Sequence, residues 1–243
     1  VNSTWAAAAT AATDSVQLNY ESEYDMFDIT WWLEQHGKQI SRLQLHAGWQ
    51  EVPYLPCSHL RDLEVLRGEL HLQHSDRYYS NMLEATTGLT TLVIQYSSML
   101  SALDSLTVLT ALTDLQHLVL QNVMQTGYED GALTLGDGDW VPIPGSLFSQ
   151  LVQLTHLELY SGTGGLTHET FKHLSCLTAL QYLRFGQMWT EPPGDVVPTA
   201  EGLVGLSQLT QLTLPICTIT CSIAGVIPGC CCCSIRLTSA TLA

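Results

Sequence analysis

Three groupings in the 243-residue chain have the types and spacing to do chemistry. His117 and His156 occupy the same place in two similar stretches, QHLVL and THLEL, with Glu158 two residues on. That pattern invites a metal pair or a pH sensor, but no third ligand stands at a matching position, so a solvated pair is the simpler reading. Asp137-Gly138-Asp139 spaces acids as a calcium loop does, yet lacks the other oxygen ligands and the closing Glu, and turn chemistry explains it better. Six of the eight cysteines (Cys217, Cys221 and Cys230 to Cys233) crowd into the last 27 residues. They can be S-acylated, can bind a soft metal, or belong to sequence that does not fold, which the lack of periodicity favours. The chain has no glycine-rich phosphate loop, GxSxG, HExxH or isolated carboxylate pair, so neither enzyme chemistry nor a cofactor is expected.

The elements that would position these residues come from internal repetition. Residues 106–120 read LTVLTALTDLQHLVL, and LVQLTHLEL (151–159), LTALQYLRF (177–185) and LSQLTQLTL (206–214) repeat the pattern. Weaker copies are ISRLQL (40–45), LRDLEV (60–65) and LTTLVI (89–94). Aligned on Leu43, Leu63, Leu92, Leu118, Leu157, Leu183 and Leu212, the seven units step by 20, 29, 26, 39, 26 and 29 residues. A helix turns about 100° per residue, so leucines spaced by three drift around its axis and form no single face. The closing pair, such as Leu118 and Leu120, has strand periodicity. A coil of one short strand plus turns points all of them inward. The 39-residue step implies an inserted loop over 124–146, and WTEPPGDVVP at 189–198 reads as a second long loop.

The LxxLxxLxL pattern resembles the leucine-rich-repeat family over roughly 40–214, and its LTxLxxLxxLxL units are similar to those of green-algal members. WWLEQHGKQISRLQL (31–45) and LPCSHLRDL (55–63) strengthen the likeness. The resemblance implies an α/β solenoid, a curved horseshoe of about seven repeats with a parallel sheet on its concave face. One departure is plain. Where the family often places an asparagine whose amide feeds a hydrogen-bond ladder, this chain has Gly48, Gly68, Ser97, Val123, Gly162, Met188 and Cys217. The turns must then satisfy their backbone groups by other means.

By register, the residues pointing into the concavity are Arg42, Gln44 and His46; Asp62 and Glu64; Thr91, Val93 and Gln95; His117, Val119 and Gln121. They continue as His156, Glu158 and Tyr160; Tyr182 and Arg184; Gln211 and Thr213. Tyr and Arg suit hot spots of protein interfaces. The narrower set expected to bind a partner is Arg42, His46, Glu64, Gln95, His117, Gln121, His156, Glu158, Tyr160, Tyr182 and Arg184. The plainer alternative is that these are solvated positions of ordinary strands.

The flanks differ from the body. Residues 1–27 read as an acidic, low-complexity linker, with AAAATAAT at 6–13 and six acids but no base from Asp14 to Glu34. A helix over 28–39, capped by Asp28 and ended by Gly37, is expected to cover the end of the array, with Trp31 and Trp32 packed on the first repeat. The repeat body is expected over 40–216. The apolar, Cys-rich tail at 217–243 is expected to be poorly ordered and offers no polar cover for the last coil.

Twenty-three acids against eight bases give a net charge of −15, which repels nucleic acid and anionic membrane surfaces. A membrane role requires acylation of the tail. The body reads as reduced and intracellular, the first residue is Val1, and no secretory signal opens the chain, so a processed form or fragment is expected. Asn2-Ser3-Thr4 matches a glycosylation sequon that arises readily by chance. The function expected is non-enzymatic binding of a protein partner with basic character, by a cytoplasmic monomer. The resemblance also implies two rivals: a ubiquitin-ligase substrate adaptor, although no F-box is visible, and a structural component of the ciliary axoneme.

Overall fold

The computed structural model describes residues 14–48, 52–70, 83, 85–100, 109–121, 124–129, 132–140, 145–159, 172–185, 206, 208–215 and 232–236. The chain builds an α/β leucine-rich-repeat solenoid. Strand β1 (Ser15–Asn19) leads into helix α1 (Glu23–His36) and then β2 (Arg42–His46). The main sheet continues through β3 (Asp62–Leu66), β5 (Thr91–Gln95), β7 (His117–Gln121), β10 (His156–Leu159), β11 (Tyr182–Phe185) and β12 (Gln211–Pro215), all parallel. A final strand, β13 (Cys232–Arg236), pairs antiparallel to β12.

The strands stack in strict register. Leu43, Leu63, Leu92, Leu118, Leu157, Leu183 and Leu212 are paired in sequence across the sheet. They are buried, as are the upstream leucines of each coil, for example Leu109, Leu112 and Leu115. Each such side chain contributes ~1.5–3 kcal/mol on leaving water. A second ladder runs beside the first. The carbonyl of Ser41 accepts from the amides of Arg61 and Asp62, that of Arg61 from Thr90 and Thr91, and that of Thr90 from Gln116 and His117. Every second coil adds a hydroxyl to this ladder: Thr90 Oγ1 donates to the carbonyl of Arg61, Thr155 to Gln116 and Thr210 to Gln181.

The structure corrects several expectations at the ends. Of the linker expected over 1–27, Ser15–Asn19 is a strand of the sheet and Glu23 onward is helix, so the array has eight parallel strands rather than seven. The signal was weak because Val16 and Leu18 make an apolar pair with no leucines spaced by three before it. Helix α1 therefore connects two sheet strands. Its N-cap is Ser22, whose hydroxyl accepts from the Asp25 amide, so Asp28 lies inside the helix. Ile29 and Leu33 are buried and Trp32 packs against the core, but Trp31 is 64% exposed beside Phe27 at 67%. Gly37 does end the helix, its amide bonding the Leu33 carbonyl. A side chain there would meet Cys57 Sγ at 2.9 Å and the Pro56 carbonyl at 3.1 Å.

The loop expected over 124–146 is largely regular. Strands β4 (Glu69–Leu70), β6 (Ser98–Leu100) and β8 (Met124–Glu129) form a second, parallel sheet, and β9 (Ala132–Trp140) folds back antiparallel on β8. Asp137-Gly138-Asp139 lies inside β9, so the turn reading is overturned. Helix α2 (Gly145–Gln150) then buries Leu147 and Phe148. In the tail, Cys232–Arg236 forms β13, which pairs antiparallel along the edge that β12 would otherwise leave open. The sequon, Cys217, Cys221, Cys230, Cys231 and the 189–198 loop lie outside the described residues.

The missing asparagine has one visible substitute. Ser97 is fully buried; its hydroxyl accepts from the Gly68 amide at 3.1 Å and donates to the Gln95 carbonyl at 2.9 Å. Gly48 solves its turn with a positive φ of 55°, and a Cβ at Gly68 would strike Val52 Cγ2 and Val65 Cγ1. Replacing Ser97 with Ala strands the Gly68 amide, so urea unfolding should show a loss of about 1–3 kcal/mol. Burial pushes the Cys57 thiol up to about 11. Iodoacetamide should therefore label Cys57 only under denaturing conditions, and labelling of the native chain at rates near those of free cysteine would contradict the packing.

Candidate functional site

On the solvent face of the main sheet the strands present rows of side chains, because alternate residues point to opposite faces and the register is unbroken. The first row runs Arg42, Asp62, Thr91, His117, His156, Tyr182 and Gln211. The next outward row runs Gln44, Glu64, Val93, Val119, Glu158, Arg184 and Thr213. His46 and Gln95 lie in a third row, with Gln121 paired to Gln95.

Three rings of the first row stack. His117 and His156 have centroids 3.9 Å apart and planes 10° apart; His156 and Tyr182 are 4.0 Å and 3° apart. The rings close to less than the strand spacing of about 4.8 Å, as stacking contact requires. His156 Nε2 donates to Glu158 Oε1 at 2.9 Å, which orients the middle ring. At the other end, Arg42 Nε and Nη2 hold Asp62 Oδ2 at 2.9 and 2.8 Å, and Gln44 Nε2 donates to Glu64 Oε2 at 2.8 Å. Between the groups, Val119 is 7% exposed although it points away from the leucine core.

A shallow pocket of about 310 Å³ opens on this face over β2, β3 and β5, lined by Arg42, Gln44, Asp62, Glu64, Thr91 and Val93 with Leu43 and Leu63. Thr91 and Val93 are short beside Asp62 and Glu64 on one neighbouring strand, and Thr91 also beside His117 on the other. The structure thus brings together His117, His156, Glu158 and Tyr182, with Arg184 in register beside Glu158. Arg42 and Glu64 meet at the pocket. His46 stands apart and exposed, while Gln121 bonds the Tyr96 hydroxyl at 3.2 Å. Tyr160 lies outside the described residues. Gln44, Asp62, Thr91 and Val93 were legible as face positions but outside the narrower set; small residues carry no signal of a cavity until long ones surround them.

Among the described residues no group of three or more His, Cys, Asp or Glu is placed to hold a metal ion. His117 has a pKa below its ordinary value of 6.5, first through burial and then through the positive charge of His156, which outweigh the pull of Glu158 and Asp62 upward. A group that resists protonation when folded stabilises the fold above its unfolded pKa, and that contribution is lost as pH falls through the folded value. Thermal melts between about pH 7.5 and about pH 5 should show a shallower loss of stability in His117→Gln than in the parent chain. Equal slopes would mean that His117 titrates as an unburied residue does.

No family model and no curated protein matches the chain. Among solved structures, it is similar to an internalin from Listeria monocytogenes, with a TM-score of 0.44 and 15% sequence identity. The match covers 80% of this chain and 46% of that one, so the chain spans less than half the length of the protein it matches.

Proposed function

We propose that the chain is a non-enzymatic interaction module that binds a protein partner through the solvent face of its main sheet. The observation that carries this reading is the His117–His156–Tyr182 stack, held by Glu158 at the centre of an in-register array of polar side chains. Side chains already fixed by stacking and hydrogen bonds lose little freedom when a partner docks, which lowers the ordering cost of binding. Tyr182 and Arg184 supply residue types that anchor such interfaces. The net charge of −15 favours a partner with basic character.

Neither catalysis nor a cofactor enters this reading, and the module acts as a monomer. Cytoplasmic location goes with unpaired Cys57 and Cys176. Among the described residues no helix is long and apolar enough to cross a membrane, so a membrane role would rest on acylation in the tail. The ubiquitin-ligase and axonemal readings, and the green-algal likeness, rest on the repeat units alone.

Affinity purification from native lysate tests the face. The parent chain should recover a protein that a His117→Ala, His156→Ala, Tyr182→Ala variant loses, with both folded by circular dichroism. Equal recovery by the two would move binding to the loops or the exposed aromatic pair of α1.

A further inference from the structure

We propose that the gap over Thr91 is a subsite for an arginine side chain of the protein partner, its guanidinium stacked on the open side of His117 and paired with Asp62 and Glu64. This deepens the reading of the face as a protein-docking surface and rests on it.

The first row supplies the geometry. Asp62, Thr91 and His117 are in register on three adjacent strands, so Asp62 and His117 stand two spacings apart, about 9.6 Å. The threonine between them is too short to fill that interval. One side of the His117 ring is taken by His156; the other faces the strand that carries Thr91. A planar cation seated there continues the stack of three rings as a fourth layer, at the separation cation–π contacts favour.

The charges fit the same occupant. Arg42 and Gln44 occupy Asp62 Oδ2 and Glu64 Oε2, and among the described residues Asp62 Oδ1 and Glu64 Oε1 have no partner. Two carboxylates against one guanidinium leave the pocket at −1. The pocket lined by Asp62, Glu64, Thr91 and Val93, on the order of ten water volumes, lies one strand short of His117 and suits one long side chain rather than a folded ligand. Val93 gives the aliphatic stem an apolar wall, and the planar fork of Arg answers two carboxylates from one strand better than the point charge of Lys. Burial keeps His117 neutral at neutral pH, so the ring does not repel the incoming cation.

The test titrates N-acetyl-Gly-Arg-Gly-amide into the full ¹⁵N-labelled chain and follows amide and imidazole shifts. Saturable shifts at Thr91, Val93 and His117 are expected, absent when citrulline replaces arginine. The Asp62→Asn, Glu64→Gln variant should bind at least about tenfold more weakly. The Asp28→Asn, Glu34→Gln variant, which removes the same charge from α1, should bind as the parent does. Thr91→Phe, which fills the gap, should abolish the shifts while spectral dispersion shows a folded chain. No saturable shift, equal shifts with citrulline, or equal weakening by the α1 variant would overturn the subsite. Were the peptide silent while the three-alanine variant still lost its partner, the subsite would fall and the docking face stand. Peptide binding together with partner recovery unaffected by that variant would support the subsite and overturn the docking reading.

Discussion

Stacking of one coil on the next through a row of inward leucines is the constraint on which everything else depends. Leu43, Leu63, Leu92, Leu118, Leu157 and Leu183 lie in register with at most 1% exposure. No coil buries its leucines alone, since each shields only one side of its neighbour. The bifurcated carbonyl ladder beside the strands adds direction to this non-directional attraction. A slip of one residue would turn every leucine outward and every polar residue in, so the register cannot drift.

Fixed register has a consequence for the opposite face. Residues at equal positions in successive coils must stand side by side, whatever their chemistry. Where two histidines and a tyrosine fall in one row, they stack; where a threonine follows an aspartate, a gap opens. Both features come from side-chain length along a row rather than from any motif within one repeat. The same rule brings Arg42 to Asp62 and Gln44 to Glu64, which are separated by 20 residues of chain.

The turns show how a repeat array manages without its usual amide ladder. Ser97 reproduces one link with a hydroxyl, accepting from one backbone group and donating to another. Gly68 leaves room for Val52 and Val65, and Gly37 for Cys57, so local solutions differ from coil to coil. The two ends differ as well. One is a strand reached through a helix, and at the other an antiparallel strand drawn from the tail pairs with the last parallel strand.

Periodic leucines by themselves determined the solenoid, its parallel sheet and the outward rows, because burial demands that every inward position be apolar and spacing of three then two admits no single helix. They also determined that His117 and His156 share a row. The first strand was illegible: Val16 and Leu18 carry no run of leucines before them, and only pairing with β2 makes them a repeat. The hairpin over 124–140 was hidden because glycine and aspartate favour turns locally, and pairing with the second sheet overrides that preference. The depth of the face, too, was left to tertiary structure. Stack, pocket and the open side of His117 depend on neighbours 20 to 39 residues away along the chain, a distance over which local sequence exerts no force until the coils have stacked.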